Sequence, residues 1–236
     1  MKIDTIEFIQ SVSIFSAIAP LIFYLVRFKI SPRQNHIIGG FIIVCGIFDF
    51  MLGLRLFSVV ILCNLQDVLQ FSLLTWFYYE LVYKKRADLV MLVSIGTYMA
   101  VLFACMYYMG ISQNYSFAWT AASIIFTIHA MVYFFTIPKM VIDRYFDTNF
   151  FSNLIFNAAL FFYFSMTILI FFMVGDVIKS EDATTIRAFW GLHNIFNILK
   201  NIGLAIGFYY TGKRQIYMTM EQLERIARKL KEEVNP

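Results

Sequence analysis

Charge is what this sequence has least of. Asp, Glu, Lys and Arg supply 14% of the 236 residues, where soluble globular chains carry about 25%. Apolar residues supply 60%, and the mean hydropathy is +0.71. Such a chain cannot cover itself with a water-facing surface, so the bilayer becomes its solvent. Cysteine is nearly missing too. The three present, Cys45, Cys63 and Cys105, all fall inside apolar runs. That argues against a disulfide framework outside the membrane and leaves them as small apolar fillers. Long polar stretches are also lacking, so no independently folding soluble domain is expected.

Catalytic signatures are absent as well. There is no H-E-x-x-H helix, nucleophile elbow, Walker loop or dinucleotide fingerprint. Gly175-Asp176 approaches the G-x-G-D of aspartyl intramembrane proteases, but Met173 stands in place of the first glycine. His129 and His193 have no identifiable third ligand for a metal. The sequence therefore reads as a non-enzyme with no metal or cofactor, and no nucleic-acid partner is expected.

What is present is a series of apolar runs long enough for helices that cross a bilayer, about 20 residues each. They lie at 7–28, 37–54, 58–83, 88–109, 116–138, 152–175 and 187–211. The runs are continuously apolar rather than alternating, which predicts an all-α membrane protein, a seven-transmembrane helix bundle, and not a barrel. The first run is no cleaved signal. Pro20 follows Ala17-Ile18-Ala19, and Asp4 and Glu7 outweigh Lys2 ahead of the apolar stretch.

Loop charge predicts the orientation. Arg27, Lys29 and Arg33, then Lys84, Lys85 and Arg86, then Lys139 and Arg144 fall in alternate loops, with Lys213 and Arg214 after the last run. The opposite loops carry fewer cations and the acidic residues Asp176, Glu181 and Asp182. The reading is N-terminus outside and C-terminus inside, in the cytoplasmic (inner) membrane. Tyr78, Tyr79, Tyr83, Tyr209 and Tyr210 near inner ends, and Tyr107, Tyr108, Tyr115, Trp119 and Trp190 near outer ends, fit as interfacial anchors.

Polar residues inside spans are the first place to look for function. In the seventh span His193, Asn197, Lys200 and Asn201 recur at i, i+4, i+7 and i+8, one stripe on one face. Lys200 lies about 20 Å from the outer end, too deep to snorkel easily. Gly203 and Gly207 continue that side as a small-xxx-small pair that admits a close neighbour. In the third span Asn64, Asp67 and Gln70 share a face, with Gln66 nearby, and Asp49 in the second span is another acidic candidate. Asp67 or Asp49 is expected to offset Lys200, directly or through water. The competing reading of these stripes is plain helix-to-helix adhesion. His129 reads as a packing or hydrogen-bonding residue, and Glu80 as an i, i+4 surface pair with Lys84.

The chain divides into a transmembrane domain, 1–212, and a tail, 213–236. In the tail Ile216, Met220, Leu223, Ala227, Leu230 and Val234 alternate spacings of four and three, a short coiled-coil seam. Leu223 and Leu230 fall on d positions, which suits a parallel pair. The alternative is an amphipathic helix extending the seventh span or lying on the inner leaflet.

A seven-span, N-out bundle feeding a cytoplasmic helix resembles the sensory modules of bacterial signalling proteins. The run Phe196-Asn197-Ile198-Leu199-Lys200-Asn201-Ile202 also looks like the last span of small stand-alone bundles of Bacteroidetes-type bacteria. The resemblance implies a sensor or receptor that is bacterial. The chain ends at Pro236 with no output domain, so a signal is expected to pass through a partner unless the chain is a fragment. A lysine in the last of seven helices is similar to retinal-binding rhodopsins as well. Phe196, however, stands where microbial rhodopsins carry an aspartate four residues before the lysine, and no retinal is expected. Sugar transporters built as 3+1+3 repeats pivot on prolines in four spans, and here only Pro20 and Pro138 match.

The reading is a polytopic sensor or receptor-like protein without a catalytic domain. Its partners are the lipid bilayer and, through the C-terminal helix, a second copy or a signalling protein. The alternatives are a small-solute transporter and a structural membrane subunit.

Overall fold

A computed structural model describes residues 5–53, 59–83, 88–110, 116–142, 149–179 and 183–212. Among them there is no strand. The helices are α1 (Thr5–Ser16), α2 (Ile18–Arg27), α3 (Arg33–Gly53), α4 (Val59–Tyr78), α5 (Asp88–Met109), α6 (Ser116–Ile142), α7 (Phe150–Lys179) and α8 (Ala183–Tyr210). A 3-10 turn, Phe28–Ile30, follows α2, and a π-helical turn, Tyr79–Tyr83, ends α4.

The first apolar run is thus two helices rather than one. Pro20 has no N–H to offer the carbonyl of Ser16, and the helix breaks at Ala17, where Leu21 N reaches the Ala17 carbonyl at 3.4 Å. The other six runs each form one helix, and the third ends in the π turn.

Five stretches are long and apolar enough to cross a membrane: Thr5–Ile30, Arg33–Met51, Leu89–Tyr108, Phe117–Ile137 and Phe150–Ile170. The remaining two helices, α4 and α8, are those in which polar residues recur along the length.

α8 packs against α7 on one side and against α1 and α2 on the other, and the pairs α3–α4, α5–α6 and α6–α7 also pack together. The core between them is aromatic. Phe71 and Tyr98 stack at 3.8 Å, Phe156 meets Phe208 at 4.8 Å, and Phe126 meets Phe164 at 4.9 Å. The expected close approach at the two glycines of α8 is present, and its partner is α7. A Cβ on Gly203 would lie 2.6 Å from the Cβ of Ala159, and one on Gly207 would enter the Phe156 ring. Without a water-driven attraction between helices in lipid, such backbone proximity is a main source of van der Waals adhesion.

Candidate functional site

Because α8 is the most polar long helix, its faces decide what the interior contains. Helical spacing turns Asn197 and Asn201 toward α1, where Asn197 Nδ2 donates to Ser13 Oγ at 2.9 Å and Asn201 Nδ2 donates to Ser16 Oγ at 2.7 Å. These are two rungs of one ladder, an asparagine every four residues against a serine every three. Such interhelical bonds contribute about 0.6 kcal/mol each and at most about 1.7. They account for half of the polar stripe as adhesion.

Lys200 is different. It is 5% exposed, and its Nζ lies 4.5 Å from the centre of the Tyr163 ring of α7 and 5.4 Å from that of Phe41 of α3. Two aromatic faces therefore hold the ammonium, each by attraction to the ring quadrupole. Neither Asp49 nor Asp67 forms an ion pair with it within 4 Å; the one ion pair among the described residues is Arg33–Glu80. Of the two carboxylates, Asp49 lies on α3, the helix that supplies Phe41 to the Lys200 rings, and Asp67 on α4. Asp49 accepts a bond from Gln66 Nε2 at 3.4 Å, and Gln70 Nε2 donates to Cys45 Sγ at 3.3 Å. Asp49, Gln66, Gln70 and Cys45 thus form a polar patch at the α3–α4 seam.

His193, two turns before Lys200 on α8, also meets Tyr163, with ring centres 5.8 Å apart, and Trp190 at 5.9 Å. Tyr163 is therefore shared by the imidazole and the ammonium. Asn64 and Asp67 are partly buried on α4. His129 belongs to a separate group: its Nε2 is 3.2 Å from Ser94 Oγ of α5, and its ring lies 5.4 Å from Tyr78 of α4. No group of three or more His, Cys, Asp or Glu side chains suited to a metal occurs among the described residues.

Glu80 pairs with α3. Its carboxylate is 3.1 Å from Arg33, whose guanidinium also lies 5.3 Å from the Trp76 ring centre. Lys84, its expected partner, lies outside the described residues, as do the tail positions Ile216, Met220, Leu223 and Leu230. A cleft of about 370 Å³ opens between α4 and α5, lined among others by Val68, Phe71, Thr75, Trp76, Met91 and Tyr98. Lys200 is not in its walls.

Sequence reading overlooked the partners rather than the stripe. Ser13 and Ser16 carried a signal, polar residues three apart in an apolar run, but Phe41 and Tyr163 carried none. It also overlooked a second polar cluster at the ends of α3, α7 and α8. Asn35 Nδ2 donates to Thr211 Oγ1 at 2.8 Å and to Ser152 Oγ at 3.2 Å, and the two hydroxyls are 3.0 Å apart. All three residues are fully buried. Deeper in the bundle, Asn157 Nδ2 donates to the Ala130 carbonyl of α6 at 3.1 Å.

Comparisons with protein-family models, curated proteins and solved structures found no match.

Proposed function

We propose that this protein is a seven-span, N-out, C-in membrane sensor or receptor-like protein, similar to bacterial sensory bundles, that acts through a partner reached by its tail. The observation that carries the reading is Lys200, buried between two aromatic rings with no ion pair among the described residues. A charge at that depth costs several kcal/mol even after relaxation. A bundle needing only adhesion is already served by Asn197 and Asn201. An ammonium held by rings and by the distant Asp49 leaves its hydrogen-bonding capacity for something that arrives, or for a rearrangement of α3 against α8.

Alternating spans are supported by which ends meet. Asn35 at the start of α3, Ser152 at the start of α7 and Thr211 just past the end of α8 are bonded together, and the start of α3 pairs with the end of α4 through Arg33 and Glu80. Seven spans threaded up and down bring these ends to one face. Both polar helices also carry exposed apolar side chains that suit a lipid-facing side, Ile61, Leu65 and Leu69 on α4 and Leu199, Ile202 and Ile206 on α8, while Gln70, Lys200 and Asn201 are buried.

Orientation is checked with single cysteines at Lys2→Cys and Met220→Cys in a cysteine-free background. An impermeant maleimide labels the first in intact cells and the second only after lysis; the reverse pattern overturns the orientation. Function is checked by disulfide trapping at Leu223→Cys with and without Lys200→Met. A sensor reading expects trapping to change several-fold when the interior charge is removed. Equal trapping in two folded proteins overturns it, and a Lys200-dependent proton or solute leak in proteoliposomes moves the protein to the transporter class.

A further inference from the structure

The end of α8 is held unusually firmly for a point where a helix leaves a bundle. Thr211 Oγ1 is bonded to Asn35 of α3, lies 3.0 Å from Ser152 of α7, and also donates to the Gly207 carbonyl at 3.3 Å. The next residue, Gly212, has φ +68°, the left-handed conformation that ends helices and suits glycine. Its N–H donates to Asn149 Oδ1 at 3.2 Å. A Cβ there would lie 2.7 Å from Ile30 Cδ1, so the 3-10 turn after α2 seats the same residue from the other side. Three segments, the start of α3, the start of α7 and the 3-10 turn, therefore converge on two consecutive residues at the end of α8.

The grip is incomplete. Asn35 Oδ1 and Asn153 Oδ1 are both buried and meet no donor. Exchanging the ends of the Asn35 amide leaves the opposite end without a partner, so the shortfall does not depend on how that amide is oriented. A saturated network locks one arrangement, whereas one with idle buried acceptors leaves room for another pairing.

We propose that Asn35, Ser152 and Thr211 form a latch that fixes the direction in which the chain leaves α8, and that releases when the starts of α3 and α7 move apart. Its mechanics stand on these contacts alone; its use in signalling rests on the sensor reading above. Asn35 is the shared element, since α3 also supplies Phe41, two turns farther on, to the Lys200 ring pair. A shift of α3 at Lys200 thus reaches Thr211 through one rigid helix.

The test is hydrogen exchange of the full-length protein in lipid nanodiscs, read by mass spectrometry, comparing wild type with Asn35→Leu and Thr211→Val. Loss of a buried donor is expected to speed exchange of the amides at 208–212 about tenfold. The amides at 197–201 should keep their protection. Three results overturn the latch: unchanged exchange at 208–212 in both variants, equal acceleration along all of α8, or failure of both variants to fold, which makes the cluster a structural keystone. The same measurement on Lys200→Met separates the two proposals. A latch intact in mechanics but indifferent to Lys200 refutes the sensor reading and leaves the latch standing.

Discussion

Replacing Lys200 by methionine discriminates most sharply among the roles the interior charge could have. Two opposing terms set the outcome. The substitution removes the attraction to Tyr163 and Phe41, at ring-centre distances of 4.5 and 5.4 Å, about 0.5–2 kcal/mol for each desolvated contact. It also removes the desolvation of the ammonium, several kcal/mol in the other direction. If these were the only terms, Lys200→Met would be neutral or stabilising. Asp49 adds a third. The pair lies beyond the 4 Å limit of an ion pair, at which unit charges attract by about 4 kcal/mol at an effective dielectric of about 20; at twice that distance the figure is about 2 kcal/mol. Lys200→Met should therefore lose less than about 4 kcal/mol of coupling to Asp49, and Lys200→Met/Asp49→Asn should recover it. The assay is a double-mutant cycle on reversible unfolding in mixed micelles, with Asp67→Asn as the control. A coupling to Asp49 below about 0.5 kcal/mol, or one to Asp67 of equal size, refutes the electrostatic argument.

Other outcomes follow from contacts already described. Gly203→Leu must push α7 and α8 apart at Ala159 and should lower stability by about 1–3 kcal/mol, whereas Gly40→Ala, with nothing within 4 Å of the added Cβ, should be neutral or gain up to about 1 kcal/mol; melting temperatures compare the two. Asn201→Leu and Ser16→Ala should each lose about 0.6–1.7 kcal/mol, and the double variant should lose little more than either, because both break one bond. Arg33→Ala should cost about 1–3 kcal/mol, more than an exposed pair, because the guanidinium is 64% exposed but the Glu80 side chain only 5%; unchanged stability would refute this.

The helical class and the approximate limits of every run except the first were legible because a bilayer demands long apolar stretches and tolerates few charges. The first run differs in one respect: Pro20 argues against signal cleavage, and its missing N–H also divides the run into α1 and α2. The Lys200 stripe was legible from spacing alone, and so was the close approach at Gly203 and Gly207. What a stripe faces is a tertiary property. Spacing could not tell that Asn197 and Asn201 turn toward Ser13 and Ser16 while Lys200 turns toward Phe41 and Tyr163. The Asn35, Ser152 and Thr211 cluster was invisible for a related reason. Each is a lone polar residue near a helix end, where polar residues need no explanation, and only folding brings the three ends together.

The Asn–Ser ladder also constrains the order in which this protein can be built. Ser13 and Ser16 leave the ribosome well before the amides that engage them, which lie 184 and 185 positions downstream. Until synthesis delivers α8, α1 has only its own backbone to satisfy those hydroxyls, as Ser16 does with the Ser13 carbonyl at 2.6 Å. α1 is thus a provisional tenant of the bilayer until α8 is made, and the later helix docks the earlier one.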